Sequence, residues 1–502
     1  MNSKNLLFVR PDHIGDYIIF RNIMYAIKKS SRFKDYKVFF VVNQRVKELV
    51  EFFDPDLADG YFYVDLQKYI LGQWYYERKN QEICQYQYDT VINAMFARHD
   101  ALERFIGSVD AGDKILVKDR VHQNRLFDAA AFDKNYMSVY DITDNKVFEF
   151  DQLKSVFETI LNEKILQAKP ALHLPDSWQM QINFDFDYIV VFIGADAEYR
   201  KWSVYNYIEL IRYILHVTDL AVVLCGGNEE SDDADAVAAA VAGKKFYNLV
   251  GETSLVDVVA LISNSKLMIS NETGSVHIAA ALDKPVFVLS NANHFGKFTP
   301  YPASHVQNYF ALYPFEYDEN SFMKYKELYY NGSALDINEI GIDQAVSKLN
   351  EIFQQVGISF SSEDVRQTEA EKQSYLIPNQ IKRNYGFASD YSLIFAEIMN
   401  LKQSGSRFVI YGNGSFGQTI DKFLGDACIA IVDNNSSLVG QTADKKNIHS
   451  PKSLEYIEFD KIIISLLGRE NEIIKDLVEK HHVAHEKIIK FKIRQKGRYE
   501  IC

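Results

Sequence analysis

Cysteine and long hydrophobic runs are both scarce in this sequence of 502 residues. The cysteines stand too far apart for a CxxC metal or redox motif and are too few for a disulfide framework, which fits a reducing compartment; they are Cys84, Cys225, Cys428 and Cys502. Apolar runs such as 188-YIVVFI-193 fall far short of the roughly 20 residues that span a bilayer. The N-terminus also lacks the apolar stretch of a signal peptide. We therefore expect a cytoplasmic protein.

Positive charge is in deficit, with 55 Lys and Arg against 68 Asp and Glu, a net charge of −13. This balance argues against a general nucleic-acid binder, although it does not exclude small anions that are held locally. Apolar residues are plentiful at 47%, which excludes disorder over most of the chain. At about 150 residues per domain, the length suggests roughly three domains.

Short apolar runs alternate with amphipathic helical stretches along the chain. In the stretch 203–215, for example, Tyr207, Leu210, Ile211 and Ile214 recur at helical spacing. Apolar runs of this kind are typical of strands that are buried on both faces of a parallel sheet, so the fold class is α/β. The predicted strands cover residues 5–9, 37–42, 89–94, 188–194, 220–226, 266–270, 285–290, 407–412, 428–433 and 461–467.

Two stretches with proline and little periodicity, 165–178 and 355–380, separate groups of these strands. They predict a domain organisation in four segments: a first α/β domain, a second α/β domain, a linker and a Rossmann-like accessory domain. The predicted bounds are 1–170, 171–356, 357–384 and 385–502.

Three loops that follow predicted strands carry candidate functional residues. In the first, a strand leads into a tight turn with Gly15 and then a helix, and Asp16 lies at the junction. Asp16 either caps the helix or serves as a general base at the carboxyl end of the strand, where open α/β sheets bind ligands. In the third loop, after Gly194, the cations Arg200 and Lys201 either form a solvated pair or neutralise a diphosphate.

The second loop, 270-SNETGSVH-277, precedes a helix rich in small residues. A helix that begins at Thr273, Gly274 and Ser275 would offer free N–H groups and a favourable dipole to a phosphate. The alternative is an ordinary capped helix, with Glu272 and His277 at the surface.

Together these segments resemble glycosyltransferase family 9, the ADP-heptose:lipopolysaccharide heptosyltransferase family. The resemblance covers roughly residues 4–350, and the motifs occur in the family's order. They are RPDHIGD (10–16), YDTVINA (88–94), GADAEYRKW (194–202), CGGNEE (225–230) with GETSLVDVVALI (251–262), and SNETGSVHIAAALDKPV (270–286).

The resemblance implies a GT-B fold, with the active site in the cleft between two Rossmann-like domains. It implies inverting transfer of a sugar from a nucleotide diphosphate donor, with an ADP-sugar favoured. Asp16 matches the catalytic base of the family's acceptor-side domain. Arg200 falls where the family usually has a phosphate-binding lysine, and Lys201 is beside it. No metal ion is required if these cations and a helix dipole stabilise the leaving diphosphate.

Thr273, Gly274 and His277 match the family's D-T-G-x-x-H loop, which binds the diphosphate and sugar of the donor. The sequence departs from the pattern at Glu272, which replaces aspartate, and at Ser275-Val276, which replaces Pro-Met. Because Glu272 is longer than aspartate, we expect altered contacts with the donor sugar, whose identity stays open.

The C-terminal domain contains the literal G-x-G-x-x-G segment 412-GNGSFG-417 directly after a predicted strand. Asp433 ends the next strand at the spacing of a dinucleotide-binding fingerprint. Gly412, Gly414, Gly417 and Asp433 are therefore candidate nucleotide-binding residues. The alternative is a docking or structural domain.

The sequence thus predicts a transferase that acts on a lipopolysaccharide or another lipid- or polysaccharide-linked surface glycan. Two alternatives are an NAD(P)-dependent oxidoreductase centred on 412-GNGSFG-417 and a non-catalytic protein that binds nucleotide sugars. Cationic segments at 28–34 and 487–498 predict either solvated faces or a peripheral contact with the inner face of the cytoplasmic membrane.

Overall fold

The chain forms two compact units, which comprise Met1–Trp202 with Tyr207–Arg366, and Ser203–Asn206 with Gln367–Cys502. The computed structural model describes residues 4–119, 128–142, 147–175, 184–241, 243, 245–361, 405–413, 417, 420–421, 424–434, 439–440, 442–443, 446–465, 470–489, 491–494 and 498–501. Within this part of the chain, no helix is long and apolar enough to cross a membrane.

Three six-stranded sheets follow one another along the chain. Sheet 1 contains β1 (Lys4–Val9), β2 (Tyr36–Asn43), β3 (Gly60–Val64), β4 (Tyr88–Asn93), β5 (Ala111–Lys118) and β6 (Ser138–Asp141). Sheet 2 contains β7 (Tyr188–Phe192), β8 (Ala221–Cys225), β9 (Phe246–Asn248), β10 (Leu267–Asn271), β11 (Val286–Leu289) and β12 (Tyr309–Leu312). Sheet 3 contains β13 (Phe408–Tyr411), β14 (Cys428–Val432), β15 (Thr442–Ala443), β16 (Lys446–His449), β17 (Lys461–Ile464) and β18 (Ile488–Ile489). A separate hairpin pairs β19 (Phe491–Arg494) with β20 (Arg498–Ile501).

Helices connect the strands, as the alternating pattern predicted. They are α1 (Ile14–Lys29), α2 (Lys47–Phe53), α3 (Leu66–Leu71), α4 (Gln73–Ile83), α5 (Asp100–Ser108), α6 (Glu149–Leu161), α7 (Val204–Val217), α8 (Ser231–Val241), α9 (Leu255–Asn264), α10 (Gly274–Ala281), α11 (Phe322–Tyr329), α12 (Ile342–Val356) and α13 (Glu470–His481). Short 3-10 helices cover Gln44–Val46, Ala129–Asn135, Glu198–Arg200, Asn228–Glu230, Glu319–Ser321, Ile337–Glu339, Gly425–Ala427, Pro451–Glu455 and His485–Lys487.

Sheets 1 and 2 share one strand order, and sheet 3 repeats its central part. Sheet 1 runs β3-β2-β1-β4-β5-β6, and sheet 2 runs β9-β8-β7-β10-β11-β12, with parallel pairing throughout. In sheet 3 the order β16-β14-β13-β17-β18 is parallel, and β15 is added antiparallel at the β16 edge. In each sheet the strand that comes first in the chain lies in the middle. The following strands are added on one side of it, and the remaining strands are then added on the other side. This doubly wound order confirms the predicted α/β class, and it places ligand sites at the carboxyl ends of the central strands.

A strand is present at each of the ten predicted positions, so all ten predicted strands are confirmed. On the core face of sheet 1, Phe8 packs against Phe20, Phe40 and Phe157, with ring centroids 5.2–5.9 Å apart. The strands that the sequence did not reveal are β3, β5, β6, β9, β12, β15, β16, β18, β19 and β20. Several of them are only partly buried, as in Phe246–Asn248 and Tyr309–Leu312, so they lack a continuous apolar run.

Candidate active site

The amino end of α1 follows β1 at the carboxyl edge of sheet 1. The helix begins at Ile14, so Gly15 lies in its first turn and not in a tight turn before it, which corrects the expected position. His13 occupies the N-cap without a side-chain cap bond, and Asp16 is the acidic residue of the first turn. Asp16 is therefore not the capping residue, although its charge is favourable at this end of the helix. Its side chain is only partly buried.

Helices α1 and α10 meet amino end to amino end between sheets 1 and 2. A Cβ on Gly15 would collide with Cδ2 of the His277 ring, and a Cβ on Gly274 would lie 3.2 Å from Cβ of Ile14. The absence of side chains at these two glycines thus allows the close approach. The charge of Asp16 acts on both His277 and His294 of the second domain. The structure therefore brings the two predicted motifs together.

The loop between β10 and α10 is held by Asn271. Its Oδ1 accepts hydrogen bonds from the Trp202 main-chain N–H and the Tyr207 hydroxyl, and its Nδ2 donates to the Gly194 main-chain oxygen. The loops after β7 and β10 are thereby fixed to each other. Thr273 is the N-cap residue of α10, so the helix begins where the sequence predicted.

Hydroxyl groups and a neutral imidazole line the start of α10. Oγ1 of Thr273 lies 2.8 Å from Oγ of Ser275. Nδ1 of His277 is hydrogen-bonded to the Tyr301 hydroxyl at 2.8 Å. Burial lowers the pKa of His277 to about 4, so the ring is uncharged at neutral pH. Contrary to the capped-helix alternative, His277 and Glu272 are both buried.

The two predicted cations after β7 have different surroundings. Arg200 Nη2 donates to the Glu272 main-chain oxygen at 2.6 Å and lies 3.5 Å from the Glu272 carboxylate. Lys201 is ion-paired with Asp233 on α8. A Cβ on Gly194 would collide with the Glu230 carboxylate. Arg200 is thus bound to the loop before α10, whereas Lys201 is paired with a carboxylate on α8.

A cluster of buried charged residues lies beside Asp16, and sequence reasoning missed it. The guanidinium of Arg10 lies 3.0 Å from the Asp12 carboxylate and 3.2 Å from the Glu149 carboxylate. Lys297 Nζ lies 2.6 Å from the Asp119 carboxylate, and this pair joins sheet 1 to the loop after β11. Burial raises the pKa of Asp12 to about 7 against the opposing effect of Arg10.

A positional signal for two members of this cluster, Arg10 and Lys297, was available in the sequence, because the strands before them were predicted. Arg10 and Asp119 directly follow β1 and β5, and Lys297 lies in the loop after β11. All three therefore stand past the carboxyl ends of parallel strands, as Asp16 does.

Sheet 3 carries the predicted nucleotide fingerprint at its own central strands. Gly412 has a φ of +107°, and the Asn413 N–H donates to the Asp433 carboxylate at 2.7 Å. A Cβ on Gly417 would collide with the Gly412 main-chain oxygen. The structure thus brings Gly412, Gly417 and Asp433 to one edge, whereas Gly414 lies outside the described residues.

Across the described ranges, no group of three or more His, Cys, Asp or Glu residues is placed to hold a metal ion.

Two regions of the chain match the profiles of known protein families. Residues 77–321 match the profile of the family described as glycosyltransferase family 9 (heptosyltransferase). Residues 404–489 match a family described as C2185-like, N-terminal.

Curated relatives match over a shorter region. Lipopolysaccharide heptosyltransferase 2 of Salmonella typhimurium is 34% identical over 109 residues, which are 21% of this chain and 30% of that protein. The Escherichia coli K12 protein of the same name is 33% identical over 109 residues, with the same shares of the two chains. The matched region thus spans under a third of the length of these relatives.

Solved structures share the fold over more of the chain. A family 9 glycosyltransferase from Veillonella parvula covers 71% of this chain and 98% of its own, with a TM-score of 0.55 and 17% identity. The E. coli heptosyltransferase WaaC with ADP covers 69% of this chain and 99% of its own, with a TM-score of 0.50 and 14% identity. At these identities the likeness shows the fold alone. The similarity to glycosyltransferase family 9 thus extends over residues 77–321 of this chain.

Proposed function

We propose that this protein is an inverting glycosyltransferase, with Asp16 as its catalytic base. The observation that carries the proposal is the meeting of α1 and α10 between sheets 1 and 2. It brings the amino end of α1, which carries Asp16, to the amino end of α10, and the loop before α10 accepts a hydrogen bond from Arg200. Inverting transfer needs these two kinds of group on opposite sides of the reacting carbon.

The acceptor half of the reaction belongs to sheet 1. Asp16 takes the proton of an acceptor hydroxyl while that oxygen forms a bond to the anomeric carbon of the donor sugar. The carboxylate lies at the carboxyl end of β1 and is partly exposed, so an acceptor can reach it. Attack from this side inverts the configuration, because the diphosphate leaves from the opposite face.

The leaving group belongs to sheet 2. As the bond from the anomeric carbon to the diphosphate oxygen breaks, negative charge develops on the diphosphate. Arg200 and the N–H groups at Thr273, Gly274 and Ser275 provide positive potential for that charge. These groups support a reaction that requires no metal ion or other cofactor. We propose that Lys201, paired with Asp233 in this structure, adds charge at longer range, and that His277 binds the donor through its ring.

For the donor we propose an ADP-sugar, with heptose the sugar that the relatives' names suggest. For the acceptor we propose lipopolysaccharide or another lipid- or polysaccharide-linked surface glycan, since curated relatives are lipopolysaccharide heptosyltransferases. Such an acceptor places the protein in the cytoplasm, in peripheral contact with the inner face of the membrane. The predicted bounds of the domains, at 170, 356 and 384, stay part of the proposal.

The test combines nucleotide binding with transfer. Thermal unfolding is followed with ADP, UDP, GDP, CMP, NAD and NADP, because a ligand of the folded state raises the unfolding temperature. We expect stabilisation by one nucleoside diphosphate. Asp16→Asn is expected to keep that stabilisation and to lower transfer from the matching donor about 10³-fold or more. Asp12→Asn, in the loop just before α1, is the control and should retain far more transfer.

Two results contradict the proposal. One is stabilisation by NAD or NADP alone, which favours the oxidoreductase alternative at Gly412 and Asp433. The other is normal transfer by Asp16→Asn, which removes the base from the mechanism.

A further inference from the structure

The Glu272 carboxylate is engaged by protein groups on both of its oxygens. Its Oε2 accepts a hydrogen bond from the Ser290 hydroxyl, and its Oε1 lies 3.5 Å from Arg200 Nη2. Only 4% of the residue is exposed. Burial also raises the pKa of this carboxyl against the opposing effect of Arg200. A side chain held in this way is poorly placed to contact a donor sugar. The sequence had predicted such a contact for Glu272.

Arg200 depends on Glu272 for its position. Its Nη2 donates to the main-chain oxygen of Glu272 at 2.6 Å, beside the contact with the carboxylate. Its Nε is buried and has no hydrogen-bond partner within the protein. The side chain nevertheless keeps 21% of its surface exposed, so part of the guanidinium can reach a ligand. One residue thus fixes the cation through both its main chain and its side chain.

We infer that Glu272 is a positioning residue, which acts on the donor's diphosphate through Arg200 and does not contact the donor itself. The inference rests on the proposed function, because the diphosphate is the anion that Arg200 is held to meet. A free arginine side chain loses rotamer freedom when it binds, and prior orientation removes that cost. The carboxylate also lowers the positive potential near Arg200. Orientation and charge therefore predict opposite effects when Glu272 is neutralised.

The experiment measures ADP affinity by titration calorimetry for four full-length proteins. These are the wild type, Glu272→Gln, Arg200→Gln and the double variant. We expect Glu272→Gln to weaken ADP binding about tenfold, since one charge-assisted contact is lost from the anchor of Arg200. In the Arg200→Gln background the second substitution should change ADP affinity less than about twofold, because its effect passes through Arg200.

Two further variants separate positioning from folding. Ser290→Ala removes the donor to the Glu272 carboxylate, and we expect a smaller loss of ADP affinity in the same direction. Glu103→Gln is the matched control, because Glu103 is 1% exposed and accepts hydrogen bonds from Arg98 and Tyr136 on the far side of sheet 1. It should lower the unfolding temperature and leave ADP affinity unchanged.

Three outcomes overturn the inference. If Glu272→Gln binds ADP as tightly as the wild type or more tightly, the residue does not orient Arg200. If the two substitutions weaken binding additively, Glu272 contacts the ligand directly. If the wild type binds none of ADP, UDP or GDP, the proposed donor site fails, and this inference fails with it.

Discussion

Two departures from the family pattern lie in contact at the scale of single residues. The sequence shows them separately: an arginine at position 200 where lysine is usual, and a glutamate at position 272 where aspartate is usual. The two residues are in contact in the structure, because the Arg200 guanidinium donates a hydrogen bond to the main-chain oxygen of Glu272 and lies close to the Glu272 carboxylate. Spacing along the chain could not reveal this, since the two residues are 72 positions apart.

His277 makes the stability of the protein depend on pH. Its pKa is about 4 in the folded protein, whereas an unperturbed histidine has a pKa of about 6.5, so between these pH values the unfolded chain binds more protons. The contribution of His277 to the free energy of unfolding is therefore fully present above pH 6.5. It is lost as the pH falls towards 4, and its size is on the order of 3 kcal/mol. Buried carboxyls with raised pKa values, such as Glu149, act in the opposite direction.

Urea unfolding of His277→Gln and of the wild type at pH 7 and pH 4.5 measures this contribution. We expect the variant to lose less stability than the wild type on acidification. The exposed His173→Gln serves as a control and should follow the wild type. Equal slopes for His277→Gln and the wild type would mean that the imidazole is not buried uncharged.

At the scale of elements, the close approach of α1 and α10 depends on two glycines of unequal importance. A Cβ at position 15 would collide with a ring that is buried and bonded to Tyr301, whereas a Cβ at position 274 would meet Ile14 at 3.2 Å. Alanine is favoured over glycine within a helix by up to about 1 kcal/mol. That gain offsets the tight contact at position 274 but not the collision at position 15.

We therefore expect Gly15→Ala to lower the free energy of unfolding by about 1–3 kcal/mol. Gly274→Ala should change it by less than about 1 kcal/mol. Denaturant unfolding of the two variants beside the wild type measures the difference. Equal costs at the two positions would contradict the proposed packing of Gly15 against His277.

Sequence patterns predicted elements best where burial is uniform. β1 and β10 each contain a buried apolar run, and the start of α10 follows from the Thr273-Gly274-Ser275 segment, so these were found. β3 was missed because its burial alternates, so it lacks a continuous buried run. The buried partner of Lys297 could not be predicted, since Lys297 and Asp119 are joined only when sheets 1 and 2 pack together.

At the scale of the whole molecule, a buried ion pair links sheet 1 to the loop after β11. The side chains of Lys297 and Asp119 are 1% and 3% exposed, and the Lys297 ammonium also lies 5.9 Å from the centroid of the Phe96 ring. Glu149 adds a main-chain bond to the Lys297 oxygen at 2.8 Å. Removing one buried charge leaves the other without its counterion, which costs about 3–5 kcal/mol.

We expect Lys297→Met and Asp119→Asn each to lower the free energy of unfolding by about that amount. The double variant should lose much less than the sum of the two. The matched control is Arg32→Met with Asp113→Asn, a half-exposed pair in the same domain that should contribute less than about 1 kcal/mol. Additive losses for the buried pair would show that the two charges do not stabilise each other.

The Lys297–Asp119 pair also constrains how this protein can change during descent. Because each charge is buried against the other, a lineage that loses one residue passes through an intermediate of low stability. Positions 119 and 297 are therefore expected to be kept together or replaced together among its near relatives. A covarying pair that joins the two sheets would record, in sequences alone, that both sheets evolved as one enzyme.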